Sequence, residues 1–284
     1  MFREDFAIFI LTHGRPKNIS TLKEIKKGNY SGKLYFLIDN EDNEKETYKQ
    51  MYGEENVIIF DKEKVLKSTD TMDNFNEKRA ILYARREVFE VAKKLDLKYF
   101  LMLEDDFTGL MYRFVEDGKL KGIDIKSFDD VINAMIDFLD VSNAMTVCMC
   151  QGGDFIGGAE SRNAHKGLLR KSMNSFFCKV DRFIDFRGTM NEDVTTYTTL
   201  GSRGQLFFSV VYVNIVQQAT QSKENGMTEV YQENGTYTKS FYSVMSMPSC
   251  VKISTLTDKH TRIHHNVNWN NCVPKILSER VKHG

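Results

Sequence analysis

The chain has little of what builds extracellular or membrane-spanning proteins. Its five cysteines, Cys148, Cys150, Cys178, Cys250 and Cys272, form an odd set with no C-x-x-C pair. That argues against both a disulfide framework and a structural zinc site, and a reducing cytoplasm fits best. Only three prolines occur, Pro16, Pro248 and Pro274, and no repeat or low-complexity tract marks a linker. The first apolar run, Phe6 to Leu11, is too short for a signal or membrane helix, and nothing else is long enough to span a bilayer. Net charge is absent too: 39 basic and 39 acidic side chains cancel, so overall charge gives no reason to expect a polyanion partner. What remains is 284 residues, 41% of them hydrophobic, enough for a sizeable core in a single unit spanning 1–284.

Charge is nevertheless unevenly placed. Glu104 to Asp140 holds ten acids against four Lys or Arg, whereas Arg162 to Arg187 holds seven bases against two acids. An acidic middle followed by a basic segment suits a cation site beside a phosphate-contacting surface; it also suits two solvated faces.

Four short apolar runs, "FAIFILT", "KLYFLID", "NVIIFD" and "YFLMLE", alternate with polar loops and helical patterns in residues 1–107. Runs apolar on both faces are what a parallel sheet under helices needs, so this half reads as α/β. Before the fourth run, Phe75, Ile81, Ala84, Val88, Phe89, Ala92 and Leu95 recur at spacings of mostly three and four, which predicts one long helix with Asp73 or Asn74 as N-cap. Residues 108–284 have a more β-rich texture. "AMTVCMC" and "GQLFFSVVYVNIVQQ" predict strands, the second edge-like or part of a mixed sheet, and "QENGTYT" at 232–238 signals a hairpin or loop. "QGGDFIGG" lacks the G-x-x-x-x-G-K-[ST] phosphate pattern and reads as a mobile acceptor loop.

The most informative stretch is "YFLMLEDDF", in which a buried strand runs into Glu104, Asp105 and Asp106. Parallel α/β sheets bind ligands beyond the carboxyl ends of their strands. Three carboxylates at a buried edge repel one another, and Mg2+ or Mn2+ held by one or two of them plus phosphate oxygens resolves the conflict. The bland reading is a solvated loop capping the next element.

"LTHGRP" at Leu11 to Pro16, "FLID" at Phe36 to Asp39, the helix "KRAILYARREV" and the acid cluster "LEDD" together resemble a glycosyltransferase of the GT-A fold. The resemblance implies a Rossmann-type mixed sheet flanked by helices, with a nucleotide-sugar-binding half (1–107) and a β-rich acceptor half (108–284). It also implies a nucleotide sugar, a UDP-sugar above all, lying across the strand ends with Mn2+ or Mg2+. Glu104 and Asp106 would stand where the D-x-D acids bind ribose and metal, with Asp105 between them; Glu104 departs from the usual Asp. Asp39 would suit the uridine or its ribose, Thr12, His13 and Arg15 the base or diphosphate, and Lys78 or Arg79 a second positive contact.

"RGTMNEDVTTYTTLGSRG" carries Glu192 and Asp193 at the start of a short helix and is similar to the x-E-D motif of inverting GT-A enzymes. In that reading Asp193, with Glu192 second, is the general base; taken alone, an acid pair at a helix start is favoured simply by the helix dipole. Near the end, "DKHTRIHHNVNWNN" concentrates His260, His264 and His265, and the resemblance makes His264 or His265 a candidate further metal ligand.

From Phe6 to about Asn270 the pattern most resembles the TET-associated glycosyltransferases of bacteriophages. This implies transfer to hydroxymethylated pyrimidines, 5-hydroxymethylcytosine foremost, in phage DNA in the host cytoplasm. Arg162, Lys166, Arg170, Lys171, Lys179, Arg182 and Arg187 would then contact phosphates. Two other classes stay open: a GT-A enzyme acting on a small-sugar, polysaccharide or protein acceptor, and a non-catalytic nucleotide- or DNA-binding module.

Overall fold

In the computed structural model the described residues are 2–73, 77–217, 238–257 and 261–283. Asn74, Phe75, His260 and the hairpin signal at 232–237 lie outside them. The four N-terminal runs form β1 (Phe6–Leu11), β2 (Lys33–Asp39), β3 (Val57–Phe60) and β4 (Tyr99–Glu104). They are parallel, in the order β3-β2-β1-β4, with Leu11 level with Glu104 and with Leu37.

Strand alternation divides these residues between two cores. Phe6, Ile8, Ile10, Leu101 and Leu103 face one side, with Ile25 of α1 (Ser20–Lys27), Tyr48 of α2 (Lys45–Tyr52) and Phe128, Ile132 and Ile136 of α5 (Phe128–Ser142). Ala7, Phe9, Leu11, Phe100 and Met102 face the other. There they meet Val65 of α3 (Lys62–Lys67), Leu82, Val88, Phe89 and Ala92 of α4 (Leu82–Lys94), and Val194 and Tyr197 of α6 (Glu192–Ser202).

The second half extends the same sheet. β5 (Phe107–Glu116), β6 (Lys119–Asp124), β7 (Thr146–Gln151), β9 (Ser175–Lys179) and β10 (Phe207–Gln217) continue the order as β4-β9-β7-β10-β5-β6, with the two-residue β8 (Leu168–Leu169) beside β10. β9 is antiparallel to both β4 and β7, and β10 is parallel to β7. The carboxyl ends of β1, β2, β4, β7 and β10 therefore share one edge. The mixed sheet flanked by helices that the GT-A resemblance implies is present. A helix over 238–246, called α7, and a separate hairpin of β11 (Val251–Thr257) and β12 (Thr261–Val267) precede the short helices α8 (Trp269–Cys272) and α9 (Glu279–His283). No described helix is long and apolar enough to cross a membrane.

Two sequence expectations need correction, and one open alternative is resolved. The helix before β4 starts at Leu82 rather than near Asp73, because Asp73 is drawn elsewhere: its Oδ2 accepts from Thr189 at 2.6 Å and from Tyr242 at 2.5 Å. Of the two alternatives for β10, the mixed-sheet one holds: the strand is interior, flanked by β7 and β5, as its apolar residues require. The glycine-rich segment forms 3-10 turns over 152–155 and 158–160, and it is anchored rather than loose. Asp154 within it is buried, accepts the Gln151 N–H at 3.0 Å and pairs with Lys171.

Candidate active site

The loop after β1 is braced from below by groups on neighbouring strand ends. Thr12 Oγ1 donates to Asp105 Oδ2 at 2.7 Å and lies 2.9 Å from the Tyr48 hydroxyl, which also accepts the Arg15 N–H. The Arg15 guanidinium reaches Asp105 at 3.4 Å. Gly14, at φ +67, turns its N–H onto Asp42 Oδ2, 2.8 Å away; that left-handed conformation is one a residue with a Cβ adopts only at a cost. His13 Nδ1 lies 2.7 Å from Asp39 Oδ2, and Lys62 lies 3.1 Å from Asp39 Oδ1.

Thr12, His13, Arg15, Asp39 and Asp105 are thus brought together over the ends of β1, β2 and β4. Their parts differ from expectation: Asp39 and Asp105 are buried and committed to neighbours, while the His13 side chain is 55% exposed. Burial alone would raise the Asp39 carboxyl, yet His13 and Lys62 bring it down to about 2. The hydrogen bond to Asp39 raises His13 above its ordinary 6.5, against partial burial.

The sign of the linkage follows. A raised histidine pKa means the charged pair stabilises the fold fully below pH 6.5 and loses that contribution as pH rises through the elevated value. Wild type should therefore exceed His13→Asn in denaturant midpoint at acidic pH, with the gap closing on the alkaline side. A gap independent of pH would mean that the imidazolium does not matter.

Alternation also separates the acidic triplet. Glu104 follows Phe100 and Met102 onto the α4/α6 side, and Asp105 turns the other way toward Thr12 and Tyr48. Asp106 comes back toward Glu104. Glu104 Oε1 accepts from Arg85 Nη2 at 2.7 Å, whereas Glu104 Oε2 and Asp106 Oδ1 converge on one atom, the Gln217 amide nitrogen, at 3.1 and 3.3 Å. Asn174 fixes that amide by donating to Gln217 Oε1 at 2.8 Å. Burial, with the charges of Asp106, Glu192 and Asp193, pushes the Glu104 carboxyl up to about 8 in spite of Arg85. The cluster is short of positive charge.

Two hard carboxylate oxygens aimed at one point, in a surplus of negative charge, fit Mg2+ or Mn2+ whose remaining ligands are diphosphate oxygens and water. Among the described residues no group of three His, Cys, Asp or Glu is arranged to hold a metal by itself. His264 and His265 lie on β12 with ring centroids 4.3 Å apart and are not assembled with the Glu104–Asp106 pair. Burial, then His264, Lys239 and Lys171, push His265 down to about 3, so it is neutral.

Lys78 and Arg79 precede α4 rather than lie on it, and they pair with Glu63 and Glu77. The cation that reaches the carboxylates is Arg85, which the sequence reading passed over.

α6 supplies the second acid pair. Asn191 enters it in the left-handed region, φ 49, and donates its side-chain amide to the Lys239 carbonyl at 2.8 Å and Ser243 Oγ at 3.0 Å. Glu192 and Asp193 then occupy the first turn, where the helix dipole favours anions. Both are largely buried; Glu192 pairs with Arg85, and Asp193 Oδ1 accepts the Val194 N–H at 2.7 Å.

The basic stretch divides. Arg182 donates to the Leu139 and Ala144 carbonyls, both at 2.9 Å, Lys171 pairs with Asp154, Lys179 with Asp140, and Arg187 with Asp185 and Asp70. These four hold the fold together rather than stand ready for a polyanion. Arg170 lies over the Phe208 ring, and Arg162 and Lys166 are exposed without ion pairs among the described residues.

Residues 6–226 match the family described as TET-Associated Glycosyltransferase. No curated protein matches the chain. Among solved structures, glucosyl-3-phosphoglycerate synthase from Mycobacterium tuberculosis, crystallised with Mg2+ and uridine diphosphate, is similar at 9% identity and a TM-score of 0.47, over 92% of this chain and 87% of that one. Mannosyl-3-phosphoglycerate synthase from Rubrobacter xylanophilus is similar at 7% identity and a TM-score of 0.44, over 92% and 86%.

Proposed function

The chain belongs to the TET-associated glycosyltransferase family, and on that premise we propose that it moves a sugar from a UDP-sugar to the hydroxyl of 5-hydroxymethylcytosine in DNA, with inversion and with a divalent cation. The observation that supports this best is the convergence of Glu104 Oε2 and Asp106 Oδ1 on one point at the carboxyl edge of the sheet, with Asp193 within electrostatic reach.

Glu104 and Asp106 would hold the cation, which when bound neutralises the negative charge gathering on the departing diphosphate. Thr12, Arg15 and the exposed His13 lie where the nucleotide would cross the strand ends, and Asp39 and Asp105 keep them in place. Asp193 would take the proton of the acceptor hydroxyl as its oxygen attacks the anomeric carbon opposite the diphosphate. A 5-hydroxymethyl group projects into the major groove, where it can be met in the duplex or after base flipping. The 152–160 turns, at the carboxyl end of β7, share the edge that carries the acids.

Incubating the protein with Mn2+ and a panel of UDP-sugars, with and without hydroxymethylated DNA, tests the reading by the mass of the released nucleosides. Glycosylated hydroxymethylcytosine is the expected product. The internal pairing of four of the seven bases favours a second reading, a smaller acceptor such as a sugar, polysaccharide or protein. Donor hydrolysis without DNA transfer would point there, and no turnover to a binding module. If DNA is the acceptor, Arg162→Ala/Lys166→Ala should weaken binding uniformly across sequences and flatten the salt slope by about two. An unchanged slope in a binding titration would remove those residues from the DNA face.

A further inference from the structure

The guanidinium between the two acid pairs has no part in the steps above. Arg85 is 1% exposed. Helical spacing puts it on the same stripe as Leu82, Val88, Phe89 and Ala92, which α4 presents to the sheet, so the backbone itself aims the side chain inward. Its planar group lies over the Phe176 ring, 4.8 Å from the centroid, with Phe186 at 5.9 Å. Nη2 binds Glu104 at the end of β4, and Nη1 binds Glu192 at the start of α6. Nε finds no hydrogen-bond partner among the described residues.

A buried charge cluster of this kind contributes little net stability, because desolvation consumes most of the attraction. What a rigid, planar fork does supply is a fixed distance between the groups at its two ends.

We propose that Arg85 is a positioning residue for sugar transfer: acting through Glu104 and Glu192, it holds the strand end that grips the donor at a set distance from the helix end that presents Asp193. The proposal rests on the reading of Glu104 and Asp106 as the donor side and Asp193 as the acceptor side. It gives Glu192 a different role from its neighbour. One Glu192 oxygen is committed to Arg85, so Glu192 is the anchor of α6, and the base is Asp193 alone.

Arg85→Lys, Glu192→Gln and the double variant test this in steady-state transfer to hydroxymethylated DNA. A lysine keeps the charge but lacks the rigid planar fork that sets the distance between the two partners. Misplacement by about 1 Å should lower kcat by about 100-fold while donor KM stays within about 3-fold, and hydrolysis should rise relative to transfer as water replaces a misaligned acceptor.

Glu192→Gln should cost about 10-fold, and the double variant should lie within about 3-fold of Arg85→Lys, because both changes weaken one link: the glutamine oxygen still accepts from Arg85 but without the charge. Arg85→Lys at the wild-type rate, or single effects that multiply in the double variant, would overturn the proposal. A purely structural arginine would change the amount of folded protein but neither kcat per folded site nor the hydrolysis-to-transfer ratio.

Should Arg85→Lys fail to fold, Glu192→Gln decides alone. A loss of about 10-fold supports the anchor, and a loss near 1000-fold makes Glu192 the base and removes the proposal. Wild-type protein that turns over no donor overturns the functional reading and this one together, whereas active wild type with unaffected variants overturns this one only.

Discussion

Asp106→Asn should lower kcat/KM for sugar transfer by about 1000-fold and abolish the dependence of UDP binding on Mn2+, while leaving the protein folded. Asp106 is half-buried, and its hydrogen-bond partner among the described residues is the neutral Gln217 amide, which an asparagine carbonyl can still accept from. The fold therefore loses little. The negative charge lost, however, is one of the two that face the cation position. Glu104 cannot compensate, because its other oxygen is committed to Arg85.

A further signature follows from the crowding that raises Glu104. Without metal, removing one neighbouring charge relieves repulsion, so the metal-free variant should melt at or above the wild-type temperature. Mn2+ with UDP should then stabilise wild type by mass action and the variant hardly at all. Melting curves of the two proteins with and without Mn2+ and UDP check this; equal stabilisation of both would move the cation elsewhere.

Asp193→Asn should cut kcat by about 1000-fold with little change in donor KM, the mark of a group needed for the chemical step rather than for donor binding. The amide oxygen can still accept the Val194 N–H, so the first turn of α6 keeps this contact and a fall in rate is not a fall in folding. Donor hydrolysis by water would persist in part, since departure of the diphosphate does not depend on Asp193 and an attacking water can pass its proton to other waters. Stopped assays of nucleoside mass and of UDP release, read side by side, separate the two. Near-normal transfer by this variant would leave the acceptor proton without an assigned destination.

The sequence carried the donor half well because its signals are local. Apolar runs such as Phe6 to Leu11 are legible as parallel strands, and the acids after β4 fall at a strand end wherever the exact boundary lies. The start of α4 was misplaced because Asp73 looks like a cap by type, whereas its partners Thr189 and Tyr242 are more than a hundred residues away. That error put Lys78 and Arg79 on a helix they precede.

Arg85 did leave a trace. Arg85 lies three or four residues from each of Leu82, Val88 and Phe89, and a charged residue on an apolar stripe is a buried charge in want of partners. Gln217 and Asn174 left none, since only the sheet order brings the end of β10 to the end of β4. The basic stretch misled for the same reason. Lys171, Lys179, Arg182 and Arg187 look available until the chain folds acids and carbonyls against them.

Sugar transfer as proposed requires a divalent cation bound between Glu104 and Asp106 together with the diphosphate of the donor. Isothermal titration of UDP into the wild-type protein, with Mn2+ and then with chelator, measures that linkage directly. Affinity at least about tenfold higher with Mn2+ is predicted, equivalent to some 1.4 kcal/mol or more. Equal affinity in both titrations would contradict it.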